Sequence, residues 1–431
     1  MHSNRLTLCF VFFLGISIRW CLVNSQYRQN IQDRIEITTP LNSIKRVIEG
    51  HYRASLGINP YESDILHESP IHLKFYSFLI TNFGQNLPLA FIAADIITAL
   101  GLYLFSKRYM LQLFIEQELE KHTYAKDSVN QLLKGKDLSL PPLYTVIVFL
   151  LNPYTIFNCV ACTTSTFSNL VMTWFLVGTI YNNCLLSVVT LALSAFQSFY
   201  PLVLISPLYL SFYKGTKSIF KATLVVIAAL LAISGLMVLS KEINGGWQFL
   251  DETFGFILQV NDQQPNVGVF WYFFMEMFEH FRLLFLWSYQ MNVTILYLVP
   301  LSIKFRKDPS LLAACFISVI TIFKSYPSIG DFALTLALLP SWKHLYNCMQ
   351  QILISCVTIV VTTILAPILW DLWIYWGTAN ANFFFGATLA FVTAHIFIVT
   401  DISFAYSKRE YLLKFGNCRK INGKDAKLVL E

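Results

Sequence analysis

Residues 222–240 read ATLVVIAALLAISGLMVLS, a stretch without a charged side chain. A helix that crosses the hydrocarbon core of a bilayer needs about 20 apolar residues, so this stretch predicts a transmembrane helix. The composition extends that prediction, because 55% of the 431 residues are hydrophobic and 13% are charged. Soluble domains carry about 25% charged residues. The sequence therefore predicts a single integral membrane domain, residues 1–431, of the all-α class.

The remaining composition excludes two other classes. The net charge of +6 comes from 31 basic and 25 acidic residues scattered along the chain, which does not make a nucleic-acid footprint. The nine cysteines are odd in number and lie mostly in apolar stretches, so they do not form a disulfide framework. The 37 Phe, 21 Tyr and 9 Trp residues suit lipid contact and the aromatic belts at membrane interfaces.

Further apolar stretches flank residues 222–240 and form an almost continuous series. We predict a polytopic transmembrane helix bundle of about twelve spans, with both termini in the cytosol. Several spans are short, which favours tilted or broken helices. With 222–240 included, the spans lie near 6–18, 71–105, 143–161, 168–182, 184–199, 201–213, 283–303, 310–325, 332–347, 350–370 and 383–405.

Two of these stretches allow more than one interpretation. Residues 6–18 are either a signal peptide cleaved near Val23-Asn24-Ser25 or an uncleaved anchor. Arg19 and Trp20 extend the stretch like the interfacial end of a span, which favours the anchor. Residues 71–105 contain polar positions and a proline. They predict either a hairpin or one crossing preceded by an interfacial segment.

The distribution of Lys and Arg predicts the sidedness of the loops. Cytosolic loops carry an excess of positive charge, which assigns residues 106–142 to the cytosol. The lumenal loops are then residues 24–70, 241–282 and 371–382. The same topology places the sequon Asn292-Val293-Thr294 inside the membrane, where it is not glycosylated.

Four long motifs rich in Trp, Tyr and Phe are distinctive: residues 151–156, 266–281, 322–331 and 370–375. They resemble the U subunit of the GPI transamidase, and the resemblance extends from Pro40-Leu41 to Leu428-Val429-Leu430. It implies a multi-pass endoplasmic-reticulum protein in a complex that replaces a C-terminal propeptide with a glycolipid. It also implies a non-catalytic subunit that recognises the GPI glycolipid and presents it, with a cysteine-protease-like catalytic chain among its partners.

Residues 57–61, 67–70 and 151–153 carry a more distant resemblance, to polytopic lumenal mannosyltransferases that use dolichol-phosphate sugars. It implies a scaffold of the GT-C glycosyltransferase type. Those enzymes carry an acidic pair in the first lumenal loop, as a base or metal ligand. Here Asp33 and Glu36 are three residues apart, and Arg34 between them is able to neutralise either. We therefore expect the glycolipid cavity without the chemistry; the alternative is an active lumenal dolichol-phosphate-sugar-dependent glycosyltransferase.

Transamidation requires a nucleophile such as Cys with a nearby base. Cys159 and Cys162 end an apolar span, where structural packing is favoured over redox chemistry. Glu276, Glu279 and His280 would share one side of a helix, but the pattern lacks the first His of a zinc helix. We therefore predict no catalytic residue, no metal ligand and no cofactor in this chain.

Three residues are candidates for binding the GPI glycolipid: Asn380, Asn382 and Asp95. The two asparagines follow an aromatic interfacial segment, and amides suit sugar hydroxyls and phosphate oxygens. The alternative for them is a cap of the last span, and for Asp95 a hydrogen bond between helices.

A basic cluster, Lys214, Lys217 and Arg306, is the candidate for binding phospholipid; its alternative is ordinary positive-inside topology. Lys324 and Asp331 predict an ion pair at the interface, with a ligand role as the alternative.

Overall fold

The computed structural model describes residues 2–416, 420–421 and 424–425. The terminal Leu428-Val429-Leu430 lies outside these residues. The described chain is built of α-helices, as the sequence predicts. They are α1 His2–Val23, α2 Tyr27–Gln32, α3 Ile44–Ser55, α4 Pro70–Phe83, α5 Leu87–Glu120, α6 Leu140–Leu151, α7 Pro153–Val160, α8 Ser165–Ile180, α9 Cys184–Gln197, α10 Ile205–Thr216, α11 Ile219–Asn244, α12 Phe256–Gln259, α13 Phe270–Glu276, α14 Glu279–Met291, α15 Leu298–Lys304, α16 Pro309–Phe323, α17 Ile329–Leu338, α18 Ile352–Ile374 and α19 Ala381–Phe415.

Shorter elements connect these helices. Two-residue strands, β1 Lys420–Ile421 and β2 Lys424–Asp425, pair in antiparallel fashion. Two π-helical turns, Asp251–Gly255 and Asn292–Leu296, continue into α12 and towards α15. The 3-10 turns are Pro60–Glu62, Gly84–Asn86, Lys121–Thr123, Lys126–Gln131, Gly135–Leu138, Tyr200–Leu204 and Leu339–Cys348.

The described residues contain six helical stretches that are long and apolar enough to cross a membrane, or up to seven if the bent pair α6 and α7 is one span. Three further apolar helices, α8, α9 and α16, are shorter. An all-α polytopic membrane protein is confirmed. The total of about twelve spans stays a prediction, because the shorter helices meet the apolar criterion without the length of a straight crossing.

Two of the predicted stretches have a definite form in the structure. Residues 70–123 are helical, but the stretch is interrupted at Gly84, which ends α4 with φ 51° and is followed by the 3-10 turn Gly84–Asn86 before α5 begins. The helix α5 then runs to Glu120, well into the predicted loop 106–142. The stretch 143–161 is instead bent by 47° between α6 and α7. Asn152 causes the break, since it has extended backbone angles and caps α7, and Pro153 starts the new helix.

The first helix is attached to the bundle by Arg19, which is fully buried. Its Nε lies 2.8 Å from Asp95 Oδ2 in α5, and its NH1 donates to the carbonyl oxygen of Leu150 at 2.8 Å. The break after α6 leaves that carbonyl without a helical partner. Arg19, which the sequence places at the interfacial end of the first span, is therefore bound inside the bundle by a carboxylate and a helix end; its depth in the membrane stays a prediction.

The polar segments collect at two ends of the bundle. At one end Arg34 pairs with Asp371 at 2.9 Å, and Arg46 pairs with Asp262 at 3.5 Å. These pairs join residues 24–70, 241–282 and 371–382, and we call this end the lumenal end after its predicted side. At the opposite, cytosolic end Lys214 pairs with Glu116 at 2.7 Å. The pairs of Arg34 and Arg46 bring parts of the three predicted lumenal loops together, while the bounds of the loops and their sidedness stay predictions.

Candidate functional site

An aromatic cluster closes the lumenal end of α13, α18 and α19. Trp271 is 1% exposed and Phe384 is fully buried within it. The indole ring of Trp370 packs edge-on against Trp373, with ring centroids 5.3 Å apart. Tyr272 stacks on Phe385 at 4.4 Å. Two of the motifs that carry the family resemblance, residues 266–281 and 370–375, thus form one cluster.

The candidate Asn380 caps α19: its side-chain oxygen accepts a hydrogen bond from the backbone N–H of Asn382 at 3.1 Å. The cap that the sequence left open as an alternative is therefore present. The side-chain oxygen of Asn382 accepts a hydrogen bond from the Tyr272 hydroxyl. Both asparagines are exposed. Because the two oxygens have internal partners, the side-chain NH2 groups are the donors left for a ligand.

An apolar groove lies between α18 and α19 and has Asn382 on its rim. We call it the outer groove; its volume is about 550 Å³. Small residues in α19, Gly386, Ala387 and Ala390, leave the space that it occupies. Its complete lining is Val357, Thr358, Val361, Thr362, Leu365, Leu369, Asn382, Phe383, Gly386, Ala387 and Ala390. A polar group at the end of an apolar channel matches the polarity of a membrane lipid.

A second apolar space, the inner cavity, has a volume of about 310 Å³ and lies on another face of α18. Thr362 contributes to both spaces. The inner cavity is bounded by α2, α7, α18 and α19, and Arg34 and Glu36 lie at its lumenal end. The helix α18 therefore separates two apolar volumes near the aromatic cluster.

Asp33 and Glu36, the acidic residues that the distant resemblance singles out in the first predicted lumenal loop, are both paired with cations. Asp33 Oδ1 lies 2.5 Å from the ammonium nitrogen of Lys45. Glu36 lies 3.3 Å from Arg34 Nε, and NH1 of Arg34 reaches Asp371 at 2.9 Å. The oxygens of both carboxylates are therefore engaged by cations of the chain itself.

The third glycolipid candidate, Asp95, is 2% exposed and is paired with Arg19. It does not line any of the cavities described here. Its geometry matches the alternative that the sequence left open, a polar contact between helices. We therefore do not carry Asp95 into the proposed binding site.

The basic cluster lies at the cytosolic end. Lys214 Nζ donates to the carbonyl oxygen of Lys307 at 2.9 Å, so the ends of α10 and α15 are neighbours. Lys217 terminates α10 in a left-handed conformation with φ 55°, and it is exposed, as is Arg306. Lys214 also pairs with Glu116, whose negative charge offsets the positive charge of the lysine. Lys217 and Arg306 therefore carry most of the positive field of this cluster.

The reactive-looking sequence patterns do not assemble into a reactive site. Cys159 and Cys162 are both buried free thiols. Glu276 ends α13, and Met277 has extended backbone angles before α14 begins. The expectation that Glu276, Glu279 and His280 share one helical side is wrong, because the helix breaks between them.

A polar group that the sequence did not reveal is formed by Asp64, His67 and Glu252, whose ligand atoms lie within 4.8 Å of one another. The ring of His67 already has partners: Nδ1 is 2.8 Å from the carbonyl oxygen of Glu252, and Nε2 is 3.0 Å from the Arg46 guanidinium. Burial lowers the pKa of His67 to about 4. A neutral ring that donates from Nδ1 and accepts from Arg46 fits a structural role better than a metal ligand.

A polar internal cavity of about 70 Å³ lies beside His67 and includes Glu68, Lys324 and Asp331. Lys324 and Asp331 form the predicted ion pair at 2.6 Å. Thr164 and Gln197 face the carboxyl group of Glu68 without a well-aligned hydrogen bond. Burial raises the pKa of Glu68 to about 7. The space is large enough for a few water molecules that would satisfy these groups.

The fold and the site define an all-α, multi-pass membrane protein with polar donors above apolar grooves. Comparison with known proteins specifies the family. The family model described as GPI transamidase subunit PIG-U matches residues 13–391. The chain belongs to this family, which confirms the resemblance inferred from the motifs.

Named relatives cover nearly the whole chain. GPI-anchor transamidase component PIGU of Homo sapiens is 38% identical over 436 residues, covering 98% of this chain and 99% of the human protein. GPI transamidase component GAB1 of Saccharomyces cerevisiae is 27% identical, covering 90% of this chain and 92% of the yeast protein. The homologue in Schizosaccharomyces pombe is 28% identical with 90% of both chains covered.

Proposed function

We propose that this chain is the non-catalytic, glycolipid-holding subunit of a GPI transamidase in the endoplasmic-reticulum membrane. In this proposal Asn380 and Asn382 hold the headgroup region of the GPI glycolipid. The apolar spaces beside α18 receive its hydrocarbon chains. A cysteine-protease-like partner chain supplies the nucleophile that joins the glycolipid to the precursor protein.

The observation that carries the proposal is the pair of outward-facing amides at the rim of the outer groove. Asn382 lines the groove, and the internal bonds of Asn380 and Asn382 use their oxygens and leave the NH2 donors. The surrounding Trp and Tyr residues suit a membrane interface. Donors at this depth match the phosphate and inositol oxygens of a lipid whose chains enter the groove.

The non-catalytic part of the proposal is supported by the state of the reactive groups. Asp33 and Glu36 are paired with Lys45 and Arg34. Cys159 and Cys162 are buried. A nucleophile must reach its substrate with a base beside it, and none of these four groups is so placed. The double variant Asp33→Ala and Glu36→Ala should therefore retain most of the anchoring activity, whereas a glycosyltransferase would lose its activity.

The test replaces the ligand-facing amides and retains the internal contacts where possible. In Asn380→Ser the serine still caps α19, and Asn382→Ala removes the second amide. Each lost hydrogen bond contributes about 1 kcal/mol, so glycolipid retention by the purified complex should fall about tenfold or more. Retained glycolipid is measured by mass spectrometry, and anchored surface protein by flow cytometry.

The matched control is Tyr272→Phe, which removes the hydroxyl bonded to Asn382 and leaves both amides intact. It should retain the glycolipid if the amides act as ligands. Assembly is checked in every variant by co-purification of the partner subunits. A double variant that assembles and retains glycolipid at the normal level would show that this site does not hold it.

A further inference from the structure

Within the first predicted lumenal loop, residues 24–70, one cation has no acidic partner among the described residues. Among the Lys and Arg side chains of residues 24–70, Arg28 is the exception: no carboxylate lies within 4 Å of it in the described part of the chain. The other four are paired, as Arg34 with Glu36 and Asp371, Lys45 with Asp33, Arg46 with Asp262 and Arg53 with Glu49.

The surroundings of Arg28 do not compensate its charge. Its NH2 group contacts Cys162 Sγ at 3.8 Å, and its Nε is buried without a hydrogen-bond partner. Burial raises the pKa of the Cys162 thiol to about 11, although Arg28 opposes this. The thiol is therefore neutral at ordinary pH. A partly buried guanidinium without an anion is unfavourable unless a ligand supplies one.

Arg28 lines an open polar cleft that is distinct from the apolar spaces beside α18. The cleft has a volume of about 600 Å³. Its lining is rich in amides, from Asn24, Gln26, Gln29 and Gln32, with Lys45 at its side. Neither Gln26 nor Gln29 forms a side-chain hydrogen bond within the described residues, so both amides remain available to donate and accept.

The short helix α2 separates this cleft from the inner cavity. Tyr27, Ile31 and the following Arg34 face the inner cavity, whereas Arg28, Gln29 and Gln32 face the cleft. The two sets follow the spacing of opposite helical faces. A polar compartment thus lies one helix away from an apolar one at the lumenal end.

We propose that this cleft binds the phosphate group of a hydroxyl-rich headgroup, such as a phosphorylated sugar or polyol, and that Arg28 is the residue that binds the phosphate. A guanidinium forms two parallel hydrogen bonds to phosphate oxygens, and free amides suit the hydroxyls around them. This proposal rests on the proposed function only for the source of the headgroup, because a glycolipid held beside α18 would supply such a headgroup.

The test uses the full-length chain in nanodiscs of phosphatidylcholine and isothermal titration with small probes. Mannose 6-phosphate carries a phosphate group and sugar hydroxyls. Inorganic phosphate carries only the first, and mannose carries only the second. Mannose 6-phosphate should bind most tightly. Arg28→Gln should weaken it about tenfold or more, since hydrogen bonds to charged groups contribute about 1.5–3 kcal/mol. The affinity of Arg28→Lys for mannose 6-phosphate should lie between those of the wild type and Arg28→Gln, because a lysine keeps the positive charge but lacks the planar guanidinium.

The matched control is Arg53→Gln, which alters a paired arginine on α3 that does not line the cleft. It should bind mannose 6-phosphate like the wild type. Equal binding by the wild type and Arg28→Gln, or no binding of either phosphate probe, would overturn the proposal. So would equal binding of inorganic phosphate and mannose 6-phosphate, because the amides would then contribute nothing. Tighter binding of a hexaglutamate peptide would identify the cleft as a protein-docking surface instead.

A further variant separates this inference from the proposed function. Asn380→Ser with Asn382→Ala should lose retained glycolipid and bind mannose 6-phosphate normally. If that variant keeps its glycolipid while Arg28→Gln binds mannose 6-phosphate weakly, the proposed function is contradicted and the cleft proposal is supported. If Arg28→Gln binds the probe normally while the asparagine variant loses glycolipid, only the cleft proposal fails.

Discussion

The burial of Arg19 and Asp95 shows how a pair of charges organises helices in this protein. Arg19 contacts three helices besides its own, through Asp95 in α5, Leu150 in α6 and Thr155 in α7. Each hydrogen bond of the guanidinium is therefore made to a different part of the bundle. Charges inside a membrane protein are costly unless they are paired, so this pair specifies where α1 packs.

A first prediction concerns this pair. Arg19→Met leaves the Asp95 carboxylate buried without a partner, and breaking a buried pair in this way costs about 3–5 kcal/mol. We expect a large drop in the thermal unfolding midpoint of the detergent-purified chain. Replacing both residues, as Arg19→Met with Asp95→Leu, should recover most of the loss. A double variant as unstable as the single one would contradict the assignment to helix packing.

A second prediction at the residue scale concerns Glu68, which lies before α4 at the lumenal end. Because burial raises its pKa to about 7, the folded chain keeps the proton over a range where the unfolded chain releases it. The stability that this carboxyl group contributes is complete below its ordinary pKa of 4.5 and is lost as the pH rises through about 7.

Glu68→Gln removes this dependence, since an amide does not ionise in the range. The thermal midpoint of Glu68→Gln relative to the wild type should rise between about pH 5 and about pH 8. The comparison also removes the contribution of His67, because His67 is present in both chains. A constant difference across this range would show that Glu68 is ionised in the folded protein.

At the scale of elements, the pair α18 and α19 combines the features that a lipid site needs. Pro367 lies inside α18, and small residues in α19 open the outer groove. The aromatic cluster packs the lumenal ends of both helices against α13. Two of the motifs that carry the family resemblance, residues 266–281 and 370–375, therefore lie beside the lumenal ends of these two helices.

A third prediction concerns the ends of α10 and α15 at the cytosolic end. The Lys214→Ala, Lys217→Ala and Arg306→Ala triple variant should lose bound anionic phospholipid, since each exposed cation near such a leaflet contributes about 1 kcal/mol. Because Lys214 is paired with Glu116, most of the loss should come from the other two. Phospholipid that co-purifies with the chain is quantified by mass spectrometry.

The control for this cluster is Lys121→Ala, which removes a lysine at the same end that pairs with Glu118. It should leave the bound phospholipid unchanged. Equal lipid content in the triple variant and the wild type would leave ordinary positive-inside topology as the function of these charges.

At the scale of the whole molecule, broad apolar faces remain exposed on the isolated chain. The windows that identify α11 and the stretch 279–304 as candidate spans are 17% buried. In a membrane these faces contact lipid or other membrane helices. Membership of the PIG-U family indicates that the functional unit is a complex.

A fourth prediction follows for the complex. Purification of the full-length chain in mild detergent should bring down a cysteine-protease-like chain and further multi-spanning proteins. Proteomic identification of the co-purified chains tests this, with a tagged unrelated multi-pass protein as the control. Recovery of the chain alone, under conditions where it is folded and holds lipid, would contradict a role within a transamidase.

The class of this protein could be predicted from the sequence because hydropathy is local. The free energy of transferring an apolar stretch into lipid depends on the residues of that stretch. Residues 222–240 therefore predict a span without knowledge of their neighbours. The aromatic motifs were sufficient for the family for the same reason, since their residues are contiguous. The assignment of the loops 24–70, 241–282 and 371–382 to one side stays a prediction, although the pairs Arg34–Asp371 and Arg46–Asp262 bring parts of them together.

Tertiary structure decided which polar groups meet. Arg19 and Asp95 are 76 residues apart, Tyr272 and Asn382 are 110 apart, and Arg34 and Asp371 are 337 apart. Packing of distant helices determines these contacts, and hydropathy contains no information on them. The sequence alone therefore determined that the chain is an all-α membrane protein of this family. Only the fold showed that Asp95 is paired with a cation and that Asn380 caps a helix. Only the fold showed that, among the described residues, Arg28 lacks the carboxylate partner that the other arginines of residues 24–70 have.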